Sequence, residues 1–217
     1  ILDRTPLGVD PVMIDPVYTY IIPTVKVYYN RTVSSATTSE VESAALTAIT
    51  NFSTNNLEQF DSRFRFSRFV RALDNLTVAE VLNTDASIKM QRKIIPLLSA
   101  TQSISILFNN PIKKSTIEST QFVFETFNCF LDDDGLGTVR VYRFDDTNAK
   151  VIQKSNIGTV NYTTGEIILS NFNIASFVGT QLQINAVPDS LDVTPAREQI
   201  LIMQASDASV TAVSEFE

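Results

Sequence analysis

The second half of this 217-residue chain alternates apolar and polar residues, and this pattern restricts the fold more than any other feature. Strands that bury one face of a sheet alternate in this way, whereas helices place apolar residues three and four positions apart. From residue 109 onward there is no helical period. Alternating segments such as Thr138–Phe144 are separated by turn residues, and Gly165 lies where a hairpin turn needs a positive φ. The pattern therefore predicts a β-rich, predominantly antiparallel second half.

The first part of the chain has a different order of elements. A β-branched and aromatic run at residues 17–29 predicts a strand, which Pro23 either breaks or places at a sheet edge. Ser39 and Glu42 have the spacing of a capping box, so we expect a helix to begin there. The buried face of this helix is expected to consist of the apolar residues at helical spacing, namely Val41, Ala45, Ala48, Ile49 and Phe52.

A second helix is predicted over about residues 62–75. Its apolar residues also recur at helical spacing: Phe66, Phe69, Val70 and Leu73. Strands at residues 78–83, 88–98 and 103–108 are expected to follow. The order strand, helix, helix, strand, strand suggests helices that pack on one face of a sheet.

Together these patterns predict an α+β fold, in which an N-terminal β-α-α-β-β layer packs with a predominantly antiparallel β-rich second half. We expect an α/β domain at residues 1–108 and a β-rich domain at residues 109–217. Residues 1–15 contain several turn-forming prolines and are predicted to be an extended lead-in segment. Because the chain begins with Ile1 and not with Met, we expect it to be a piece of a longer protein.

The composition argues against several classes of function. The formal net charge of −7 disfavours general nucleic-acid binding. No apolar run reaches the length of about 18 residues that a membrane span needs, so no membrane partner is predicted. The chain has one cysteine and no histidine, which removes the commonest general base and metal ligand. We therefore expect no enzyme activity, no catalytic residue, no cofactor and no small-molecule substrate.

Four motifs that resemble reactive sites are interpreted as structural. The run Asp132-Asp133-Asp134-Gly135 suggests a calcium loop, but Val141 occupies the position of the bidentate glutamate, so a hydrophilic turn without metal is expected. The acidic pair at residues 145–146 is likewise expected in a turn. Cys129 lies among apolar neighbours and is expected to be a buried small hydrophobic residue. The Lys-Lys-Ser sequence at residues 113–115 is most simply an exposed turn.

The charges are unevenly distributed along the chain. Residues 61–100 carry 7 basic and 4 acidic side chains, whereas residues 1–60 carry 3 and 6, and residues 101–217 carry 7 and 14. Two interpretations stay open: a solvated surface with chance clustering, and a basic patch that faces an acidic partner, such as another copy of the protein. The segment Phe64–Phe69 interleaves aromatic residues with arginines, as a single-stranded nucleic-acid surface does, but its helical spacing favours core packing.

Several segments resemble the baseplate J-like family of contractile-tailed bacteriophages. Between Pro23 and Val81 the shared pattern is a strand with alternating valines, a helix that opens Thr-Ser-Glu-Val, a second helix with Phe-Ser-Arg-Phe, and a strand with Leu-Thr-Val-Ala-Glu-Val. The second half is similar to baseplate wedge proteins of T-even-type phages in four segments: Ser119–Phe122, Cys129–Gly137, Gly158–Ile167 and Pro195–Leu201. The order of these segments carries the resemblance, which places the chain in the C-terminal part of such a protein.

The resemblance implies a structural role in the virion. Members of this family form the inner ring of the tail baseplate, and their copies pair through their C-terminal regions. It therefore implies a homodimer through this region within a larger ring, contacts with other baseplate wedge proteins, and assembly in the host bacterial cytoplasm. It implies no enzymatic activity and no cofactor. The alternative from the residues alone is a carbohydrate- or receptor-binding β module of a tail or surface protein.

Overall fold

The structure, a computed structural model, describes residues 16–216, so the predicted lead-in segment at residues 1–15 lies outside it. The fold is α+β and rich in strands, as the sequence predicts. The elements are β1 (Val17–Asn30), α1 (Thr38–Asn56), α2 (Phe66–Asp74), β2 (Val81–Ile94), β3 (Gln102–Leu107), β4 (Glu118–Ser119), β5 (Phe122–Phe124), β6 (Phe127–Asp133), β7 (Thr138–Phe144), β8 (Lys150–Asn161), β9 (Glu166–Phe172), β10 (Ser176–Phe177), β11 (Leu182–Ala186), β12 (Gln199–Ile202) and β13 (Ser209–Glu215).

The first sheet is six-stranded and has the order β12-β1-β2-β11-β4, with β13 also pairing with β1. β12 pairs in parallel with residues 17–20 of β1, and β13 pairs in parallel with residues 24–30. Pro23 does not break β1 but lies in the gap between these two partners. The backbone N–H groups of odd-numbered β1 residues face this edge, because Val17 donates to the carbonyl of Glu198 at 3.1 Å. The donor that Pro23 lacks is thus needed by no described strand.

The second sheet is seven-stranded, has the order β10-β5-β6-β7-β8-β9-β3, and its described pairs are antiparallel. The predicted strand Thr138–Phe144 is confirmed as β7, and Gly165 has the expected positive φ of 69° in the β8–β9 turn. The alternating residues 121–127 predict one strand, but only part of that segment is a single strand. β5 ends at Phe124, and Glu125 turns the chain into β6 with a φ of 57°.

Strands from both sides of residue 108 contribute to both sheets. β12 and β13 pair with β1, and β11 pairs with β2, although these partners are distant in sequence. In the other direction, β3 pairs with β9 in the second sheet. Backbone hydrogen bonds therefore join the predicted segments 1–108 and 109–217 in both sheets. A division into two domains at this residue stays a prediction.

Helix α1 is capped by a different pair of residues from the one that the sequence suggests. Thr37 is the N-cap: its hydroxyl accepts from the Glu40 N–H at 3.3 Å, and the Glu40 carboxylate accepts from the Thr37 N–H at 2.8 Å. The prediction of Ser39 and Glu42 is wrong because both pairs fit the same spacing. Glu42 instead accepts from the Ala212 N–H on β13 at 3.1 Å. The predicted buried face of α1 is confirmed for Val41, Ala45, Ile49 and Phe52, and Ala48 is half-buried.

Helix α2 begins at Phe66, four residues later than predicted. Phe64 and Val193 exchange backbone hydrogen bonds of 2.9 and 3.1 Å, so the chain at Phe64 is extended. Phe64 then packs its ring into a cluster with Phe52 and Phe69, with ring centroids 5.5 to 6.0 Å apart.

Within residues 16–216 no helix is long and apolar enough to cross a membrane.

The predicted core face of α2 is confirmed for its central residues. Phe69 and Leu73 are fully buried, whereas Phe66 and Val70 are half-buried. Strand β2 then runs without a break from Val81 to Ile94, so the predicted strands at residues 78–83 and 88–98 are one strand. β2 pairs with β1 along almost its whole length, which keeps its polar centre in the sheet.

Candidate interaction surfaces

The acidic run at residues 132–134 does not form the turn that the sequence predicts. Asp132 and Asp133 end β6 and are only 7% and 4% exposed. The turn lies at residues 134–137. The prediction is therefore wrong for the first acidic pair, whereas the pair at residues 145–146 does lie between β7 and β8, outside both strands. A buried carboxylate is stable only when donors surround it, so the partners of Asp132 and Asp133 decide what this run does.

Asp133 accepts four hydrogen bonds from the protein. One carboxylate oxygen accepts from the Ser115 N–H at 2.6 Å, the Tyr162 hydroxyl at 2.6 Å and the Gly135 N–H at 3.3 Å. The other accepts from the Ile117 N–H at 2.9 Å. Burial and the hydrogen bond to Asp133 raise the pKa of Tyr162 above its ordinary value. Asp133 therefore fixes the segment at residues 115–117 against β6 and β8.

The two neighbouring carboxylates also have protein partners. Asp132 accepts from Arg140 at 2.7 Å and from Lys150 at 2.6 Å. Asp134 accepts from two backbone N–H groups of its own turn, those of Leu136 and Thr138, and these lower its pKa. Among residues 16–216 no group of three or more acidic, cysteine or histidine side chains is placed to hold a metal ion. The run therefore acts as a set of structural anchors.

The other two motifs lie where the sequence predicts. Cys129 is fully buried in β6, and burial raises the pKa of its thiol, which disfavours the reactive thiolate. The Lys-Lys-Ser sequence at residues 113–115 is an exposed turn. Its serine contributes a backbone N–H to Asp133.

An aromatic cluster lies on the surface of the second sheet and defines what we call the aromatic face. Phe130 and Tyr142 are opposite each other on β6 and β7, with stacked rings 5.6 Å apart, and Phe144 packs against Tyr142 at the same distance. Lys150 lies 3.9 Å from the centre of the Tyr142 ring. Phe144 is 47% exposed and Ile152, opposite Tyr142 on β8, is 41% exposed. This face offers apolar and aromatic area to a partner.

A second surface, which we call the arginine groove, lies between the end of α1 and the start of α2. It is a cleft of about 360 Å³. Its polar lining consists mainly of Asn55, Asn56, Gln59, Arg63, Arg65 and Arg68. Arg65 pairs with Asp192 at 2.6 Å, and Asp192 also accepts from the Phe66 N–H at 2.9 Å. Arg63 and Arg68 are exposed, and none of the ion pairs among the described residues includes them.

The sequence contained a signal for each surface. In β7, Val139 and Val141 are buried while Tyr142 and Phe144 lie on the opposite, partly exposed side, so the alternation placed aromatic residues on the polar face. For the arginine groove, the excess of basic residues at 61–100 was the signal. The position of Asp192, which is distant in sequence, is visible only in the structure.

Comparison with known proteins finds a family model that matches part of the chain. Residues 17–93 match the family model described as baseplate structural protein gp6, C-terminal domain III. This segment includes β1, both helices and most of β2. Over this segment the match confirms the resemblance to phage tail baseplate proteins that the sequence shows.

One particular relative extends the match beyond this segment. The chain is 27% identical over 190 residues to the baseplate wedge protein gp6 of Enterobacteria phage T4. The aligned region covers 85% of this chain and 28% of that relative. The chain thus spans less than a third of the length of the wedge protein that it matches. Both matches support a baseplate wedge protein, and they support its C-terminal part.

Proposed function

We propose that this chain is a structural part of a phage tail baseplate wedge, located in the virion, that forms the inner baseplate ring by self-association and by contacts with other wedge proteins. The observation that carries the proposal is the match to the T4 wedge protein, which covers 85% of this chain and therefore reaches well beyond residues 17–93. We propose a non-enzymatic role, with assembly in the cytoplasm of the host bacterium.

The aromatic face is our candidate for the contact between copies. Exposed ion pairs contribute only about 0–1 kcal/mol each, so we do not expect the charges of this acidic chain alone to hold a stable dimer. A stable interface buries roughly 1,200–2,000 Å² in total and has an apolar centre enriched in aromatic residues. Phe144 and the stacked pair of Phe130 and Tyr142 supply such a centre, with Lys150 at its border.

Sedimentation equilibrium of the purified chain at tens of micromolar tests self-association. We expect a dimer in low salt that survives about 1 M salt, where the screening length falls to about 3 Å and charge contacts weaken. A single species at the monomer mass of 24.1 kDa under both conditions would contradict the proposal. A dimer that dissociates in high salt would show that charges, and not the aromatic face, hold the copies together.

A pair of matched variants locates the interface. Phe144→Ser removes an aromatic side chain that is 47% exposed on the aromatic face. Leu136→Ser makes a similar change at a turn residue that is 88% exposed and lies outside this face. We expect weaker dimerisation for Phe144→Ser and an unchanged dimer for Leu136→Ser. Equal dimer constants for the two variants would place the interface elsewhere.

The stacked aromatic rings also give a specific reason to test the second function, that of a carbohydrate- or receptor-binding module. Rings exposed on a sheet can stack on the apolar face of a sugar. A binding module would remain monomeric, and its melting temperature would rise when ligand is added, because the ligand binds only the folded state. Screening host-surface oligosaccharides by melting temperature distinguishes this function from the scaffold. A dimer without any sugar-dependent rise supports the scaffold.

A further inference from the structure

The arginine groove has donors that the fold itself does not use. Arg63 precedes α2, Arg65 is its N-cap residue, and Arg68 lies in its first turn, so the three side chains line one cleft. Of these three arginines, only Arg65 forms an ion pair with a carboxylate among the described residues. Arg63 and Arg68 therefore bring two exposed positive charges to this cleft without an ion pair among the described residues.

Arg65 lines the groove and is already paired with Asp192, and this pair shows which chemistry the groove recognises. Asp192 arrives from a loop more than a hundred residues away in sequence, and its carboxylate binds both the Arg65 guanidinium and the Phe66 N–H at the start of α2. These donors lower the pKa of Asp192, the Arg65 contact being the stronger cause. A protein carboxylate is thus already bound by one arginine and a helix N-terminus at this place.

The rest of the lining suits a polypeptide. Asn55 and Gln59 carry amide side chains, which can both donate to and accept from the backbone of a bound segment, whereas the Asn56 amide already donates to the Phe52 carbonyl at 3.1 Å. A phosphate backbone would meet the same arginines, but the formal net charge of −7 opposes the approach of a long polyanion more than that of a short acidic segment.

We propose that the arginine groove binds an acidic polypeptide segment of a neighbouring protein, whose carboxylates pair with Arg63 and Arg68 beside the internal Asp192. That this neighbour is a baseplate subunit rests on the proposed function, whereas recognition of an acidic segment does not. Arginine forks bind carboxylates in a fixed bidentate geometry, so the groove selects a segment with correctly placed acidic residues.

A fluorescently labelled hexa-aspartate peptide is the probe, with binding to the purified chain followed by anisotropy at about 150 mM salt, where long-range attraction is screened beyond about 8 Å. The test variant is Arg63→Glu with Arg68→Glu. The matched control is Arg31→Glu with Arg197→Glu, which makes the same change in net charge at two exposed arginines outside the groove. We expect the test variant to lose affinity by about tenfold or more, and the control by less than about threefold.

Three results would overturn the proposal: no binding of the peptide to the unmodified chain, equal loss in test and control variants, or tighter binding of a ten-residue oligothymidylate that the test variant also loses. The last result would make the groove a nucleic-acid site. Circular dichroism of each variant confirms that the fold is intact. Sedimentation of the test variant separates this proposal from self-association. If the variant no longer binds the peptide but still forms the dimer, the groove binds the acidic segment and is not the surface through which the copies pair.

Discussion

Replacement of Asp133 by alanine is expected to destabilise the protein far more than replacement of any exposed aspartate. Asp133 is 4% exposed and is the shared acceptor for three backbone N–H groups and the Tyr162 hydroxyl. The alanine variant removes all four hydrogen bonds at once. It leaves the Ile117 N–H, which is buried, without an acceptor, and it frees the segment at residues 115–117 from the end of β6.

The size of the effect follows from these contacts. A hydrogen bond to a charged group contributes about 1.5–3 kcal/mol, and a buried donor left unpaired costs about 1–3 kcal/mol. The four bonds share one carboxylate and are not additive, and the Gly135 contact is long at 3.3 Å. We therefore expect a loss of about 3–5 kcal/mol in the free energy of unfolding, in the range typical of a broken buried network.

Urea unfolding followed by circular dichroism measures this loss, with Asp146→Ala as the control. Asp146 is exposed in the turn between β7 and β8, so its loss should change stability by no more than about 0.5 kcal/mol. Tyr162→Phe removes one of the four donors and should cost about 1–2 kcal/mol. If Asp133→Ala and Asp146→Ala unfold within about 1 kcal/mol of each other, Asp133 is not the anchor that its hydrogen bonds suggest.

Three further outcomes are expected. Phe69→Ala should lower the free energy of unfolding by about 3–5 kcal/mol in urea, because the ring is fully buried and packs against two others. Arg68 is exposed and has no ion pair among the described residues, so Arg68→Ala should lower it by less than about 1 kcal/mol. Equal losses would refute the assigned faces of α2. Since the folded pKa of Tyr162 is raised, the folded state holds this proton more tightly, so stability should fall as the pH rises above about 10, and Tyr162→Phe should fall less steeply in the same urea titration. Millimolar calcium and excess chelator should leave the melting temperature unchanged, because the carboxylates of Asp132–Asp134 already have protein donors; a rise of several degrees with calcium would show a metal site.

Local patterns predicted those elements whose residues respond mainly to their sequence neighbours. β7 was predicted with its bounds because Val139 and Val141 alternate with polar and aromatic residues between two turns. The hairpin turn at Gly165 was predicted because a positive φ there favours glycine. The buried side of α2 followed from helical spacing. In each case the interactions that decide the structure lie within a few residues.

The failures share a different cause, which is partners that are distant in sequence. Asp133 ends a strand because the Ser115, Ile117 and Tyr162 donors surround it, and a run of three aspartates before a glycine gives no sign of them. Phe64 leaves the helical pattern because it bridges Val193. The aromatic face and the ion pair between Arg65 and Asp192 likewise depend on contacts between strands or loops that only the folded chain brings together.

The two surfaces have different consequences for an assembly. A contact in which the same face of two copies meets, as proposed for the aromatic face, closes into a dimer and cannot by itself continue into a ring. Continuation needs a second contact surface, which can bind either its own copy or a different surface, and the arginine groove suits the second kind because a cluster of arginines repels its own copy. The aromatic face lies on β6 to β8 of the second sheet, whereas the groove lies between the two helices, so the two contacts use separate residues. A chain that pairs through one face and receives an acidic segment in the other can therefore hold two neighbours at the same time, which is the minimum that a subunit of a closed ring requires.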